Sequence, residues 1–401
     1  MPNNTSGVSQ QWNSKPMIQL PTWGEPLIVF LILFASMVFT RRKHARILRP
    51  RGGYLAVPSG SGITTPTTNR PSAEDDLEAQ VNPFPSEPYY KRRRICCGSI
   101  RTPATTAFSG NIHSRILNKF PFLVEMFYWI LTFGFYRMTK AISQSLFSKT
   151  GIWDVAQQNG LQVMEIEKTG SLAFLFPWKE QDVQHWFMEH HQTLLTIFNR
   201  FYALVHIPGT VGFIAWYYYT APSHSIFAIV RRTLTLTNLL AFVTFTLYPC
   251  MPPRLLPPKY GFLDSVRHDN AQSIWMSGNY VNSLAAMPSM HFGYSFCIGY
   301  TLLYHSRSFP WGRKESETWP TAFWKIWYIA LGVGYPLSVL ITIIATANHY
   351  WLDPLAAAGI ACLAFFCNRI LLVLLPLEDF LCWTLRLEKP APTTGEKRDS
   401  W

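Results

Sequence analysis

Charge is what this chain has least of. Asp, Glu, Lys and Arg make up 14% of its 401 residues, against roughly 25% in soluble domains, so a string of soluble domains would lack the polar surface it needs. Cysteine is sparse too, with seven residues in all. Five of them (Cys250, Cys297, Cys362, Cys367, Cys382) sit in or beside apolar runs, where a thiol behaves as a small hydrophobe. No spacing resembles a disulfide framework or a zinc site. Acidic residues are outnumbered 23 to 35, which at first looks like a nucleic-acid signature. The excess is local: Arg41 to Lys119 holds fourteen Lys and Arg against five acids (Glu74, Asp75, Asp76, Glu78, Glu87). Those basic residues are mixed with Ser, Pro and Thr beside an apolar run. This is the positive-inside pattern of a membrane protein, and no nucleic-acid partner is expected.

What the chain has in abundance is apolar length, with 48% hydrophobic residues. Trp23–Thr40 is long enough for one span and is followed at once by Arg41 and Arg42, so it reads as a retained anchor. That flank places the N-terminus, with sequons at Asn3 and Asn4, outside or in a lumen. Residues 41–112 show no apolar periodicity and read as a disordered basic cytosolic segment. Within it Cys96 and Cys97 are either a palmitoylation pair or plain cytosolic thiols. Six further runs follow: Phe120–Phe135, Leu194–Thr220, Leu234–Cys250, Met290–Tyr304, Ile326–Ala347 and Pro354–Leu375. Alternation gives about seven spans and a cytosolic C-terminus. The stretch from Arg137 to His191, without positive excess, falls on the far side. The fold class expected is an all-α polytopic membrane bundle. Residues 1–112 would hold the anchor and basic segment, 113–385 the membrane-embedded catalytic domain, and 386–401 a cytosolic tail.

Three polar islands interrupt the last four runs. They are Tyr248–Pro257 with Arg254, Ala286–His291 with Ser289, and Asn348–Asp353 with His349. Successive spans run in opposite directions, so all three fall at one membrane face, lumenal or extracellular by the charge rule, as an active site requires. His349 and Asp353 are four apart, the spacing of one helix face, so the carboxylate can hold one imidazole nitrogen and make the other a nucleophile. Pro288-Ser289 opens a helix whose N–H groups suit a phosphate. His291 is a candidate acid for a leaving oxygen, and Arg254 offers a fork for phosphate oxygens. No cofactor or metal is needed for this chemistry.

In order and character these islands resemble the type 2 phosphatidic acid phosphatase superfamily, which also includes vanadium haloperoxidases. Its usual pattern is Lys-x6-Arg-Pro, then Pro-Ser-Gly-His, then Ser-Arg-x5-His-x3-Asp. Arg254, Pro288-Ser289-Met290-His291 and His349-x3-Asp353 match in turn. The resemblance implies a six-helix core over about residues 190–375, a phosphohistidine on His349, an acid role for His291, and phosphate binding by Arg254 and Ser289. The departures are informative: the expected lysine is Leu247, the proline after Arg254 is Leu255, the glycine is Met290, and the third-motif arginine is Ile343. That set is more similar to the branch containing fungal inositol phosphorylceramide synthase and inositolphosphotransferases. The resemblance therefore implies a lipid phosphotransferase with phospholipid and sphingolipid substrates, a multi-pass protein of the Golgi or another endomembrane. A lipid phosphate phosphatase, or a lipid-binding protein without catalysis, are the alternatives.

Other polar residues have plainer readings. His185, Glu189, His190 and His191 could approach a metal, but Asp182–Thr193 reads better as an interfacial segment with Trp186, Phe187 and Met188 toward lipid. Asn199, Arg200 and His206 either line a cavity or pack between helices. Lys259, Arg267 and His268 are candidates to replace the missing cations.

Overall fold

The structure, a computed structural model, describes residues 23–48, 90–95, 98–149, 151–169, 173–268, 283–307 and 321–394. The sequons at Asn3 and Asn4, Cys96, Cys97 and most of the basic segment lie outside the described residues. The protein is mostly helical. Its residues divide into two compact units, one containing Phe122–Leu371 and the other Arg41–Pro121 with Leu372–Ala391. That division crosses the boundaries read from the sequence at 112 and 385.

The first unit contains helices at all seven predicted runs: Gly24–Phe39, Phe122–Leu146, Gln192–Thr220, His224–Leu247, Met290–His305, Ala322–Ala345 and Leu352–Cys367. Among the described residues three stretches are by themselves long and apolar enough to cross a membrane, His224–Leu247, Ala322–Ala345 and Leu352–Thr384. The number rises to four if Ile112–Lys119 and Phe122–Leu146 count as one broken span. Gly24–Phe39 and Met290–His305 have 16 residues each, or about 24 Å of helix, short of a hydrocarbon core of about 30 Å.

Packing follows from the composition of the helix faces. Met290–His305 lies against Ala322–Ala345 and Leu352–Cys367, and His224–Leu247 packs on Leu352–Cys367. Gly299 makes the first of these contacts possible, because a Cβ there would collide with the Gly332 carbonyl and the Pro336 ring. Thr233, Thr235, Thr237, Thr244 and Thr246 each donate to the carbonyl four residues back in His224–Leu247, which satisfies their hydroxyls without water. Glu125, the acid inside the second run, is buried and paired with Arg231 at 2.6 Å. Two further helices, Ile152–Thr169 and Glu180–His190, have no apolar run in the sequence and cover the polar islands.

The second unit corrects part of the expected disorder. Tyr90–Ile95 and Gly98–Pro103 form an antiparallel hairpin with Arg92 opposite Arg101. Its strands carry no alternating apolar face. They are held by polar bonds instead: Arg93 makes two bonds to Asp379, at 2.7 and 2.9 Å, and Thr102 donates to the same carboxylate. A partner 286 residues away in sequence leaves no local trace.

Candidate active site

Backbone hydrogen bonds sew the three islands together. Cys250 N–H donates to Leu284 and Ala286 N–H donates to Cys250, a short parallel bridge between the first and second islands. Arg254 N–H donates to the carbonyl of Ala347, beside the third island, and Ser289 N–H donates to Asp353. Ala347 takes φ 51°, a left-handed turn that ends the helix Ala322–Ala345 and delivers His349 to the other two islands. The expected juxtaposition of three islands is thus present, and it is made by main chain before any side chain is considered.

His349 is 4% exposed. Its Nδ1 lies 2.7 Å from the Ala286 carbonyl and 3.2 Å from Asp353 Oδ2. A carbonyl only accepts, so Nδ1 must carry the proton, and in the neutral ring the lone pair is on Nε2. That Nε2 is buried and has no hydrogen-bond partner among the described residues. The expected helix face for the pair is corrected: the helix starts at Leu352, so His349 sits in the turn before it. Asp353, in the first helical turn, reaches back with Oδ2 to His349 and to the Tyr350 N–H at 2.9 Å.

His291 lies on the first turn of Met290–His305, two residues beyond the Ser289 cap. Its ring stacks on Tyr202 with centroids 4.0 Å apart and planes at 19°. The His291 and His349 ring centroids are 6.0 Å apart. Ser289 is fully buried and its Oγ accepts the Phe292 N–H at 3.3 Å. This is an N-cap role that leaves the hydroxyl proton for another acceptor. His291, Tyr202, Ile343, Thr342, Val339, Tyr335 and Phe201 line a cavity of about 10 Å³, room for roughly one water.

The cationic side of the site is thin. Arg254 is engaged with Asp264, Nη1 to Oδ1 at 2.9 Å, while its Nε is buried without a partner among the described residues. Leu247, at the position of the expected lysine, is 66% exposed on the end of its helix. Ile343, at the position of the expected arginine, is fully buried in the wall of the cavity beside His291. Lys259 lies over the ring of its neighbour Tyr260. The side chains of Arg267, His268 and His206 lie outside the described residues.

Several other readings are corrected or narrowed. Only Trp186 of the expected lipid-facing trio is exposed, since Phe187 and Met188 pack in a small core with Leu195 and Ala345. His185 bonds the Gly261 carbonyl and His190 the Trp186 carbonyl. Among the described residues no three His, Cys, Asp or Glu side chains are placed to hold a metal. Asn199 is fully buried and accepts from Ser265 Oγ at 3.2 Å, a bond between two helices. Tyr202, Asp264, Glu167 and Glu180 carry no motif and were missed in the sequence. Glu167 and Glu180 meet backbone N–H groups of the third island, Leu352 at 2.6 Å and Trp351 at 3.1 Å.

Fold and site together describe a helical protein with segments long and apolar enough to span a membrane and two neighbouring histidines, one bonded to a carboxylate. A family model described as the PAP2 superfamily matches residues 171–313. The match takes in Arg254, Ser289 and His291 and ends before His349 and Asp353. It suggests a lipid phosphatase or phosphotransferase type of activity and fits a membrane protein. No curated protein and no solved structure matches the chain.

Proposed function

We propose that this protein is an integral membrane lipid phosphotransferase that moves inositol phosphate from phosphatidylinositol to a sphingolipid acceptor through a phosphohistidine on His349. The observation that carries the reading is the fixed His349 ring, with its proton on Nδ1 and its lone pair on Nε2. In the first step Nε2 attacks phosphorus, a P–N bond forms, and the bond from phosphorus to the diacylglycerol oxygen breaks. His291, about one phosphoryl group away across the site, gives that oxygen its proton. In the second step the acceptor hydroxyl loses its proton to His291 and attacks phosphorus, and the P–N bond breaks. Asp353 and the Ala286 carbonyl stabilise the imidazolium side of both steps. Ser289 and Arg254 would hold the phosphate oxygens.

The choice of a diester substrate rests on charge. A phosphomonoester carries nearly two negative charges at neutral pH and a phosphodiester one. A site whose described residues include one arginine, already engaged with Asp264, and an isoleucine where a second cation would stand favours the smaller charge. The PAP2 match itself favours a second reading, in which water resolves the same intermediate and the enzyme is a lipid phosphate phosphatase. Detergent-purified protein given labelled phosphatidylinositol and ceramide should form an inositol-phosphate-bearing sphingolipid and release little phosphate from phosphatidic acid. Brisk phosphate release with no sphingoid product would transfer the assignment to the phosphatase.

The same reading makes this a multi-pass protein of the Golgi or another endomembrane, with about seven spans, a lumenal active site and residues 41–112 in the cytosol. Protease treatment of sealed microsomes should cut the 41–112 segment and spare the loop that carries Arg254.

A further inference from the structure

Three consecutive backbone N–H groups follow His349, and each meets a carboxylate. Tyr350 N–H donates to Asp353 Oδ2 at 2.9 Å, Trp351 N–H to Glu180 Oε1 at 3.1 Å, and Leu352 N–H to Glu167 Oε1 at 2.6 Å. These N–H groups begin the helix Leu352–Cys367, which has no cap from the side chain of its own N-cap residue, Trp351. The two glutamates come from Ile152–Thr169 and Glu180–His190 and are 6% and 4% exposed. Gly160, on the first of these helices, leaves room for the Tyr350 hydroxyl to reach the Met251 carbonyl at 3.0 Å.

Helix N-termini attract negative charge, but three buried carboxylates cannot all be ionised side by side. Glu167 shows how the conflict resolves. Its Oε2 is buried and among the described residues has no donor to meet unless a proton sits between it and Glu180. Burial first, then the hydrogen bond and charge of Glu180, push the Glu167 carboxyl up to about 10. The other groups facing the pair are Asp353, Tyr350 and Cys250.

We propose that Glu167 and Glu180 are positioning residues: a proton-sharing carboxyl pair that clamps the Trp351–Leu352 turn and thereby holds His349 and Asp353 in register. The proposal rests on the phosphotransfer chemistry assigned to His349. The pair touches no substrate. It acts through the main chain between the nucleophile and the carboxylate that orients it, where a misplacement of about 1 Å costs on the order of 10²-fold in rate.

The test compares Glu167→Gln, Glu167→Ala and Glu180→Ala with the wild type in detergent or liposomes. Glutamine keeps a carbonyl for the Leu352 N–H and donates permanently to Glu180, so Glu167→Gln should keep kcat and KM near wild type at neutral pH. It should also stay active toward pH 10, where the wild type fails as the shared proton leaves. Both alanine variants should lose about 10²-fold in kcat with little change in KM. The sign of the stability effect agrees. A carboxyl raised in the folded state binds an extra proton between its unfolded and folded values, so its contribution falls as pH rises through that window. The wild-type melting temperature should therefore decline toward alkaline pH more steeply than that of Glu167→Gln. Folded Glu167→Ala with wild-type kcat would overturn the clamp. Glutamine no better than alanine, or parallel alkaline limbs and melting profiles, would overturn the shared proton. If no protein, wild type included, turns over lipid while the melting profiles diverge as expected, the phosphotransfer reading fails and the carboxyl pair stands.

Discussion

His349 and Arg254 are both anchored by a carbonyl of a facing segment, Ala286 for the histidine ring and Ala347 for the arginine N–H, yet their side chains are prepared in opposite ways. His349 has its proton fixed on one nitrogen and its lone pair bare on the other. Arg254 has part of its guanidinium engaged with Asp264. In the proposed reaction the histidine is organised before substrate arrives, whereas the arginine would have to exchange an internal carboxylate for a phosphate oxygen. A rigid histidine beside a guarded arginine would suit a substrate of low charge, and on this difference the proposed diester reading departs from the monoester one.

The largest break in that comparison is loss of the proposed nucleophile. His349→Ala should abolish turnover, by about 10⁴-fold or more if it behaves like other members of a nucleophile–base set. It should also abolish any acid-labile phosphoryl label on the protein. Purified His349→Ala with wild-type turnover would remove this histidine from the chemistry.

Removing the orienting carboxylate should cost less. Loss of the aspartate from a Ser-His-Asp triad costs about 10⁴-fold because the histidine tautomer is lost. Here the Ala286 carbonyl, at 2.7 Å, fixes the tautomer without help, and an asparagine oxygen can still take the Tyr350 N–H. Asp353→Asn should therefore lose only about 10²-fold in kcat, through weaker stabilisation of the imidazolium. A loss as large as that of His349→Ala would mean that the carbonyl contributes nothing to the tautomer.

The meeting of the three islands was legible in the sequence, because His349, Asp353, His291, Ser289 and Arg254 stand at run ends in a readable order and alternation brings those ends together. The carboxyls behind it were not legible. Glu167 lies 185 residues before Leu352, on a helix with no motif, and only the fold reveals its partner. Tyr202 was invisible for the same reason, as one aromatic among many on an apolar helix. The helix-face argument for His349 and Asp353 reached the right contact by the wrong geometry, since spacing of four also fits a turn entering a helix. The hairpin at Tyr90–Pro103 escaped because arginine contacts to Asp379, not an apolar face, define it.

The cation side can be sharpened by releasing its guard. Asp264→Asn removes the charge that engages Arg254 and leaves an amide of the same shape. A partly exposed pair of this kind is worth about 1 kcal/mol, so the freed guanidinium should raise phosphate release from phosphatidic acid about fivefold relative to transfer from phosphatidylinositol. The readout is the ratio of the two activities, which a general loss of folding would not move. An unchanged ratio would mean that Arg254 does not meet the phosphate.

The smallest expected effect lies at the other histidine. His291 is held by a ring face: its imidazole lies flat on Tyr202, centroids 4.0 Å apart. Stacked aromatic pairs contribute about 0.5–1.5 kcal/mol beyond burial, which corresponds to roughly 2–10-fold in rate if the whole of it serves to hold the ring. Tyr202→Phe keeps the stack and should leave kcat within about twofold of wild type. Tyr202→Leu fills similar space without a ring face and should lower kcat by that 2–10-fold, with the larger loss on donors whose leaving alcohol is poor, because only the proton delivered by His291 is disturbed. Equal losses for good and poor leaving groups would show that Tyr202 serves packing alone. A loss approaching that of Asp353→Asn would make the stacked pair as rigid a device as the carboxylate-held one, and the contrast between the two histidines would disappear.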